Sequence, residues 1–281
     1  MEDDEYGKEL AKKYYEQESK EYIKMYSEEA KEYPANLIRL KMVIELLKKN
    51  NVKTVLDAGC GTCGPMIEFL KEGFDVKGFD FSEKMLKEGR KELEKANFSQ
   101  DLIFKADLED DSDMPDEKFD AIIALGIFPH ILDEQKALSI LKKRLNDNGV
   151  IYIEFRNELF SAFTLNKYSF DFFVNNLINL KSLPENVSKD VVDFYSDRLK
   201  IDIPDEKREN DKIAYNEILA KFHNPLNIEK KIFRPVGLSI VNFHFYHFHA
   251  LPPVFESKDP HIFRELSLKM EKGDDWRGYL M

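Results

Sequence analysis

Val55-Leu56-Asp57-Ala58-Gly59-Cys60-Gly61-Thr62-Cys63-Gly64-Pro65 ends an apolar run on an acidic residue and turns through three glycines. Glycine has no Cβ, so such a turn lets the backbone approach a ligand closely before Pro65 opens a helix. Turns of this kind hold adenosine-bearing cofactors, nicotinamide and flavin among them, and also occur as plain tight connections. Asp80 closes the next apolar run about twenty residues on, where a carboxylate can accept from both hydroxyls of an adenosine ribose. That position marks a ribose without saying which cofactor carries it. Asp107, in Lys105-Ala106-Asp107-Leu108, closes the third run, where it can accept from an adenine amino group. It also heads a charge run through Glu109, Asp110 and Asp111, which fits a solvated turn.

Two further clusters have reactive side chains. Cys60 and Cys63 have Cys-x-x-Cys spacing, and a thiol at a helix N-terminus can be activated. The glycines around them, and the lack of a thioredoxin-like context, favour small, buried turn residues. In Asn242-Phe243-His244-Phe245-Tyr246-His247-Phe248-His249, strand alternation puts only His247 and His249 on one face, and no cysteine stands nearby. The expectation is therefore no metal, with Tyr246, His247 and His249 lining a pocket for a small ligand.

The elements that must position these residues are short apolar runs alternating with helices. Val52 to Leu56, Phe74 to Phe79, Leu102 to Ala106, Phe119 to Leu125 and Val150 to Phe155 read as buried strands. Helices are expected near Pro65 to Lys71, Ser82 to Lys95 with Ser82 as N-cap, and Asp133 to Asn146. This rhythm predicts an α/β, Rossmann-like doubly wound, mostly parallel seven-stranded sheet, with Leu238 to Phe248 and Gly278 to Met281 as its last strands. In front stand a charged helix with Tyr14, Tyr15, Tyr22, Tyr26 and Tyr33 at roughly helical spacing, interrupted at Pro34, and a second helix from Asn36 to Lys49. The tyrosines fit either a lid or the buried face of a docking helix. The expected organisation is an N-terminal helical lid over 1–35, a core of 36–156 and 232–281, and an inserted helical cap over 157–231 with a polar tract near Pro204 to Lys212.

Composition narrows the function classes. The 281 residues are 43% hydrophobic and 34% charged, enough for one large core with an insertion. A formal charge of -11 repels a phosphate backbone, so no nucleic-acid partner is expected. There is no apolar stretch long enough for a bilayer and no signal-peptide pattern, and with only two cysteines a reducing cytoplasm fits best.

Over roughly Asn36 to Phe155 the chain resembles the class I S-adenosylmethionine-dependent methyltransferases of small-molecule, single-domain type. Asp57, Gly59 and Gly61 stand where that family's acidic-x-Gly-x-Gly turn cradles the methionine part of S-adenosylmethionine. Cys63 replaces the next glycine, with Gly64 following. The resemblance implies that Asp80 holds the ribose, that Phe81 lies against adenine, and that Asp107 and Leu108 meet its edge, with Leu125 completing the cofactor set. Gly59, Gly61 and Gly64 also match a dinucleotide fingerprint, while Asp57 and the string Leu-Asp-Ala-Gly-Cys-Gly-Thr look like a methyltransferase.

Methyl transfer needs alignment and, for a hydroxyl acceptor, removal of a proton. His130, in Gly126-Ile127-Phe128-Pro129-His130 at the edge of the fourth strand, is the candidate general base, or packs over the cofactor. Arg156 and Asn157 leave the fifth strand at the same edge, where a guanidinium can clamp an acidic acceptor or pair with Glu158. The expected activity is O-methylation of a small polar, sugar-like molecule. The alternatives are N-methylation of a small amine and a nicotinamide- or nucleotide-binding protein without methyl transfer.

Overall fold

A computed structural model describes residues 2–24, 33–178, 180–199, 213, 218–271 and 276–280. Tyr26, the tract from Pro204 to Lys212 and Met281 lie outside the described residues, as does the side chain of Tyr22. Helices α1 (Glu2–Lys24) and α2 (Ala35–Lys49) precede a parallel sheet of β1 (Thr54–Ala58), β2 (Asp75–Asp80), β3 (Ile103–Lys105), β4 (Phe119–Ala124) and β5 (Leu145–Ile153). Its strand order is β3-β2-β1-β4-β5. Both neighbours of β1 are parallel to it, Val55 pairing with Val76 on one side and Ala121 on the other.

Helices α3 (Gly64–Lys71), α4 (Glu83–Lys95) and α5 (Glu134–Lys143) make the crossovers. Val55, Val76 and Ile123 pack with Leu47, Phe69 and Leu93 of α2, α3 and α4. Leu56, Phe79 and Ile122 pack on the other face with Leu138 and Leu141 of α5. Burial on both faces is why these strands read as continuous apolar runs instead of alternating ones. Ser82 caps α4 as expected, its hydroxyl accepting from the Met85 N–H. Strand order reverses between β1 and β4, which opens a crevice at their carboxyl ends.

Beyond β5 the chain departs from expectation. A separate two-stranded parallel ribbon joins β6 (Arg156–Asn157) to β7 (Phe222–His223). Between them lie α6 (Ser161–Thr164), α7 (Lys167–Asp171) and α8 (Glu185–Leu199). Among the described residues the main sheet has five strands, not seven. Leu238 to Phe248 forms no strand: Val241 is 87% exposed, and the backbone turns at His247, whose φ is 60°. Its aromatics stack instead, Phe243 on Phe245 and Phe245 on Tyr279. Trp276–Leu280 is a short 3-10 turn instead of a strand, and α9 (Val254–Lys258) and α10 (Pro260–Glu271) precede it. Among the described residues no helix is long and apolar enough to cross a membrane.

Candidate active site

The turn after β1 is built by hydrogen bonds to the end of β2. Gly59 and Cys60 both donate N–H to the Phe79 carbonyl, at 2.8 and 2.9 Å. Asp80 then receives the Gly61 N–H at 3.0 Å and the Ser82 N–H at 2.8 Å, one on each carboxylate oxygen. Gly59 (φ +76°) and Gly61 (φ +54°) sit in the left-handed region, as does Cys63 (φ 65°). A Cβ on Gly59 would stand 2.4 Å from the Ile127 side chain. Gly59→Ala is expected to cost about 1–3 kcal/mol from the backbone alone, with further cost from that clash. A lowered melting temperature with an unchanged far-ultraviolet spectrum checks it.

Two carboxylates are buried at the crevice floor. Asp57 is 5% exposed, and its Oδ2 has no hydrogen-bond partner in the protein. Burial, then the neighbouring Asp80, pushes its pKa up to about 7, with Arg39 opposing. Arg39, on α2, pairs with Glu154 just beyond β5. Asp80 is raised to about 6 by burial, against the pull of its two backbone donors. An orphaned carboxylate oxygen in an open crevice is a place for a ligand's N–H or O–H donors.

Helix α1 roofs the crevice. Lys8, Ala11, Lys12 and Tyr15 line it, opposite Asp57, Asp80, Phe81, Leu108 and Leu125. Lys8 pairs with Asp107 and Glu109, Lys12 stands 5.4 Å over the Phe81 ring, and the Ser82 hydroxyl donates to Glu16 at 2.6 Å. Tyr15 reaches the fourth strand's edge, its hydroxyl 2.9 Å from His130 Nε2.

His130 is buried, and its Nδ1 bonds the Leu219 carbonyl. A carbonyl only accepts, so Nδ1 carries the proton and Nε2 accepts from the Tyr15 hydroxyl. Burial holds the His130 pKa down at about 4, the Leu219 bond opposing and Arg156 adding to the shift. Burial lowers the pKa of Arg156, and the neighbouring Tyr15 opposes that shift. His130, Tyr15 and Arg156 thus form one chain of contacts across the crevice mouth.

The methyltransferase-domain family matches residues 49–193, just over half of the chain. The chain belongs to that family. Its methyl donor is S-adenosylmethionine. Glycine N-methyltransferase of Rattus norvegicus is 33% identical over 129 residues, covering 41% of this chain and 44% of its own length. The ubiquinone biosynthesis O-methyltransferase of Pasteurella multocida is 28% identical over 138 residues, covering 46% and 57%. The chain thus spans about half the length of the curated relatives it matches. A crystal structure of a S-adenosylmethionine-dependent methyltransferase from Clostridium acetobutylicum aligns at 19% identity with a TM-score of 0.40, covering 45% of this chain and 53% of that one.

In this methyltransferase the crevice brings together Asp57, Gly59, Gly61, Asp80, Phe81, Asp107, Leu108, Leu125 and His130. Other expected site residues lie elsewhere. Asn157 caps the turn after β6 through the Leu159 N–H and donates to the Tyr279 carbonyl. His247 stacks on Tyr33 at 5.1 Å, and His249 packs on Phe160 and Phe263. The two imidazoles are neighbours, 4.5 Å between centroids, beside Glu256. Neither they nor Tyr246 line the crevice. Among the described residues no group of three or more His, Cys, Asp or Glu is arranged to hold a metal ion. Lys8, Lys12 and Met85 also line the crevice without having been singled out, as does Ser82, expected only as a helix cap, and its place two residues after Asp80 was the available signal.

Proposed function

We propose that this methyltransferase methylates a hydroxyl of a small polar acceptor held at Arg156, with the Tyr15–His130 pair receiving the displaced proton. Bound in the crevice, the cofactor supplies a methyl group on a cationic sulfur and leaves as the neutral thioether. Asp57 and Asp80 hold its donors, and α1 excludes water from above. The acceptor's proton passes to the Tyr15 oxygen while the phenol's own proton moves to His130 Nε2, so Tyr15 ends neutral and His130 ends as imidazolium. The charge lost from sulfur is thereby kept in the site.

The single observation that carries the hydroxyl reading is the Tyr15 hydroxyl 2.9 Å from His130 Nε2, the nitrogen left free to accept because Nδ1 bonds the Leu219 carbonyl. A neutral amine attacks with its own lone pair and needs no such relay, whereas a hydroxyl acceptor must lose its proton. A second reading, N-methylation of a small amine, is favoured by the glycine N-methyltransferase among the relatives.

Replacing the pair separates the two. With a hydroxyl acceptor, His130→Asn and Tyr15→Phe are each expected to lower turnover about 100-fold or more, while S-adenosylhomocysteine binding stays near wild type. Near-normal turnover in both variants would support the amine. The acceptor itself is sought by mass spectrometry, as a gain of one methyl group across candidate polar metabolites. A chain with only two cysteines, both buried, fits a reducing cytoplasm.

A further inference from the structure

Gly7 lies inside helix α1, where glycine is a weaker helix former than alanine. The packing around it shows what the missing side chain permits. Gly7 is buried, and a Cβ there would stand 3.2 Å from the Leu219 Cβ and 3.3 Å from the Leu219 nitrogen. The two backbones come close enough for the Leu219 N–H to donate to the Gly7 carbonyl at 3.2 Å, using the lone pair that the helix leaves over. The carbonyl of the same Leu219 bonds His130 Nδ1. Leu219 therefore ties α1 to the imidazole through its two backbone groups.

We propose that Gly7 is a positioning residue for the proton relay, and that docking of α1 fixes both nitrogens of His130 at once. The inference rests on the methyl-transfer reading above, in which Tyr15 and His130 receive the acceptor's proton. Tyr15 follows Gly7 on the same helix, and its hydroxyl meets Nε2 directly. Nδ1 is reached from Gly7 by way of Leu219. Between these two positions Leu10 and Ala11 pack on Ile218, so the helix seats on an apolar contact with a polar one at each end. The Leu219 segment is anchored from the far side as well. The Lys221 N–H donates to the Pro129 carbonyl at 2.8 Å, and its ammonium to the Leu132 carbonyl at 2.7 Å.

Roof and relay are then one device. Lys8 and Glu16 tie the same helix to the cofactor side, through Asp107 with Glu109 and through Ser82. The pair can pass a proton only with α1 seated, and the same seating covers the crevice. An imidazole that lost the Leu219 carbonyl would be free to carry its proton on Nε2, the tautomer that free histidine favours. Nε2 could then no longer accept from Tyr15.

The test reads the His130 tautomer by nitrogen NMR of the imidazoles in the full chain, ligand-free and with saturating S-adenosylhomocysteine. The His130 signals are those missing from His130→Asn. The wild type is expected to show the Nδ1–H tautomer. Gly7→Ala raises helix propensity, so a glycine with no role beyond α1 itself predicts an unchanged tautomer in that variant. Instead Gly7→Ala, with Gly7→Val as the stronger variant, is expected to move His130 toward Nε2–H and to speed hydrogen exchange at the Leu219 amide at least about tenfold. S-adenosylhomocysteine affinity is expected to stay within about threefold of wild type. Glu9→Ala, at an exposed position of the same helix, is expected to change none of these. An Nδ1–H tautomer kept in both Gly7 variants overturns the proposal. So does a tautomer change that comes only with loss of S-adenosylhomocysteine binding, since α1 would then simply have left the crevice. A shifted tautomer beside near-normal turnover in Tyr15→Phe and His130→Asn would support the positioning and strike the relay reading beneath it.

Discussion

Asp80→Ala is expected to weaken S-adenosylhomocysteine binding by at least about 100-fold, close to 3 kcal/mol at room temperature. Two losses combine. The ribose hydroxyls lose their acceptor, and the N–H groups of Gly61 and Ser82 lose the carboxylate that orients them at 3.0 and 2.8 Å. Hydrogen bonds to a charged partner contribute about 1.5–3 kcal/mol each, so the turn and the ligand contact are of similar weight. Asp80→Asn separates them, because its amide keeps one acceptor oxygen for a single backbone donor. It is expected to fall between wild type and Ala. Calorimetric titration gives the affinities, and thermal melting without ligand shows how much of the change is the turn itself. Affinity within about threefold of wild type in the Ala variant would take Asp80 out of its assigned role. NAD run in parallel should leave the melting temperature unchanged where S-adenosylmethionine raises it, through simple binding linkage.

The position of Asp80 was legible because its chemistry is local. A carboxylate at the end of a buried strand, one strand over from a glycine turn, can only emerge at the carboxyl edge of a parallel sheet. The apolar runs at β1 and β4 gave away burial on both faces, so a parallel, doubly wound sheet followed from the pattern, while its strand order came only from the structure. Leu238 to Phe248 misled for the same physical reason. Its alternating aromatics match a strand, but a strand also needs a partner edge, and no local pattern supplies one. In the fold this stretch satisfies itself by ring stacking and bends at His247.

What the sequence hid is what long-range packing creates. Tyr15 and His130 are 115 positions apart, and Leu219 is a further 89 beyond His130. His130 could be picked out as a candidate, but nothing near it in the chain shows that Leu219 fixes its tautomer or that Tyr15 covers its free nitrogen.

Asp57→Asn is expected to stabilise the ligand-free protein above neutral pH while impairing cofactor binding. Burial and Asp80 raise the Asp57 pKa from the ordinary carboxylate value of 3.8 to about 7. Between those limits the folded protein keeps a proton that the unfolded chain has released. Stability therefore falls as pH rises through that window, and the full cost is present above about pH 7. Asparagine has the shape of the protonated acid and no charge to desolvate, so it escapes the cost. For a fully buried group raised this far the difference is on the order of 2–4 kcal/mol, or roughly 5–10 °C in melting temperature. The variant and the wild type should melt together near pH 4 and diverge steadily toward pH 8. Ligand reverses the sign, since S-adenosylhomocysteine brings an ammonium group whose charge favours ionised Asp57. Its affinity for the wild type should climb from pH 5 to pH 8 with release of a proton, whereas the affinity of Asp57→Asn should be low and nearly flat. Asp80, raised to about 6, persists in the variant and leaves a smaller slope of the same sign in its melting curve. An Asp57→Asn protein that melts with the full wild-type pH dependence would show that the buried charge at the crevice floor lies elsewhere. The stability sacrificed there is then not the source of the cofactor's hold.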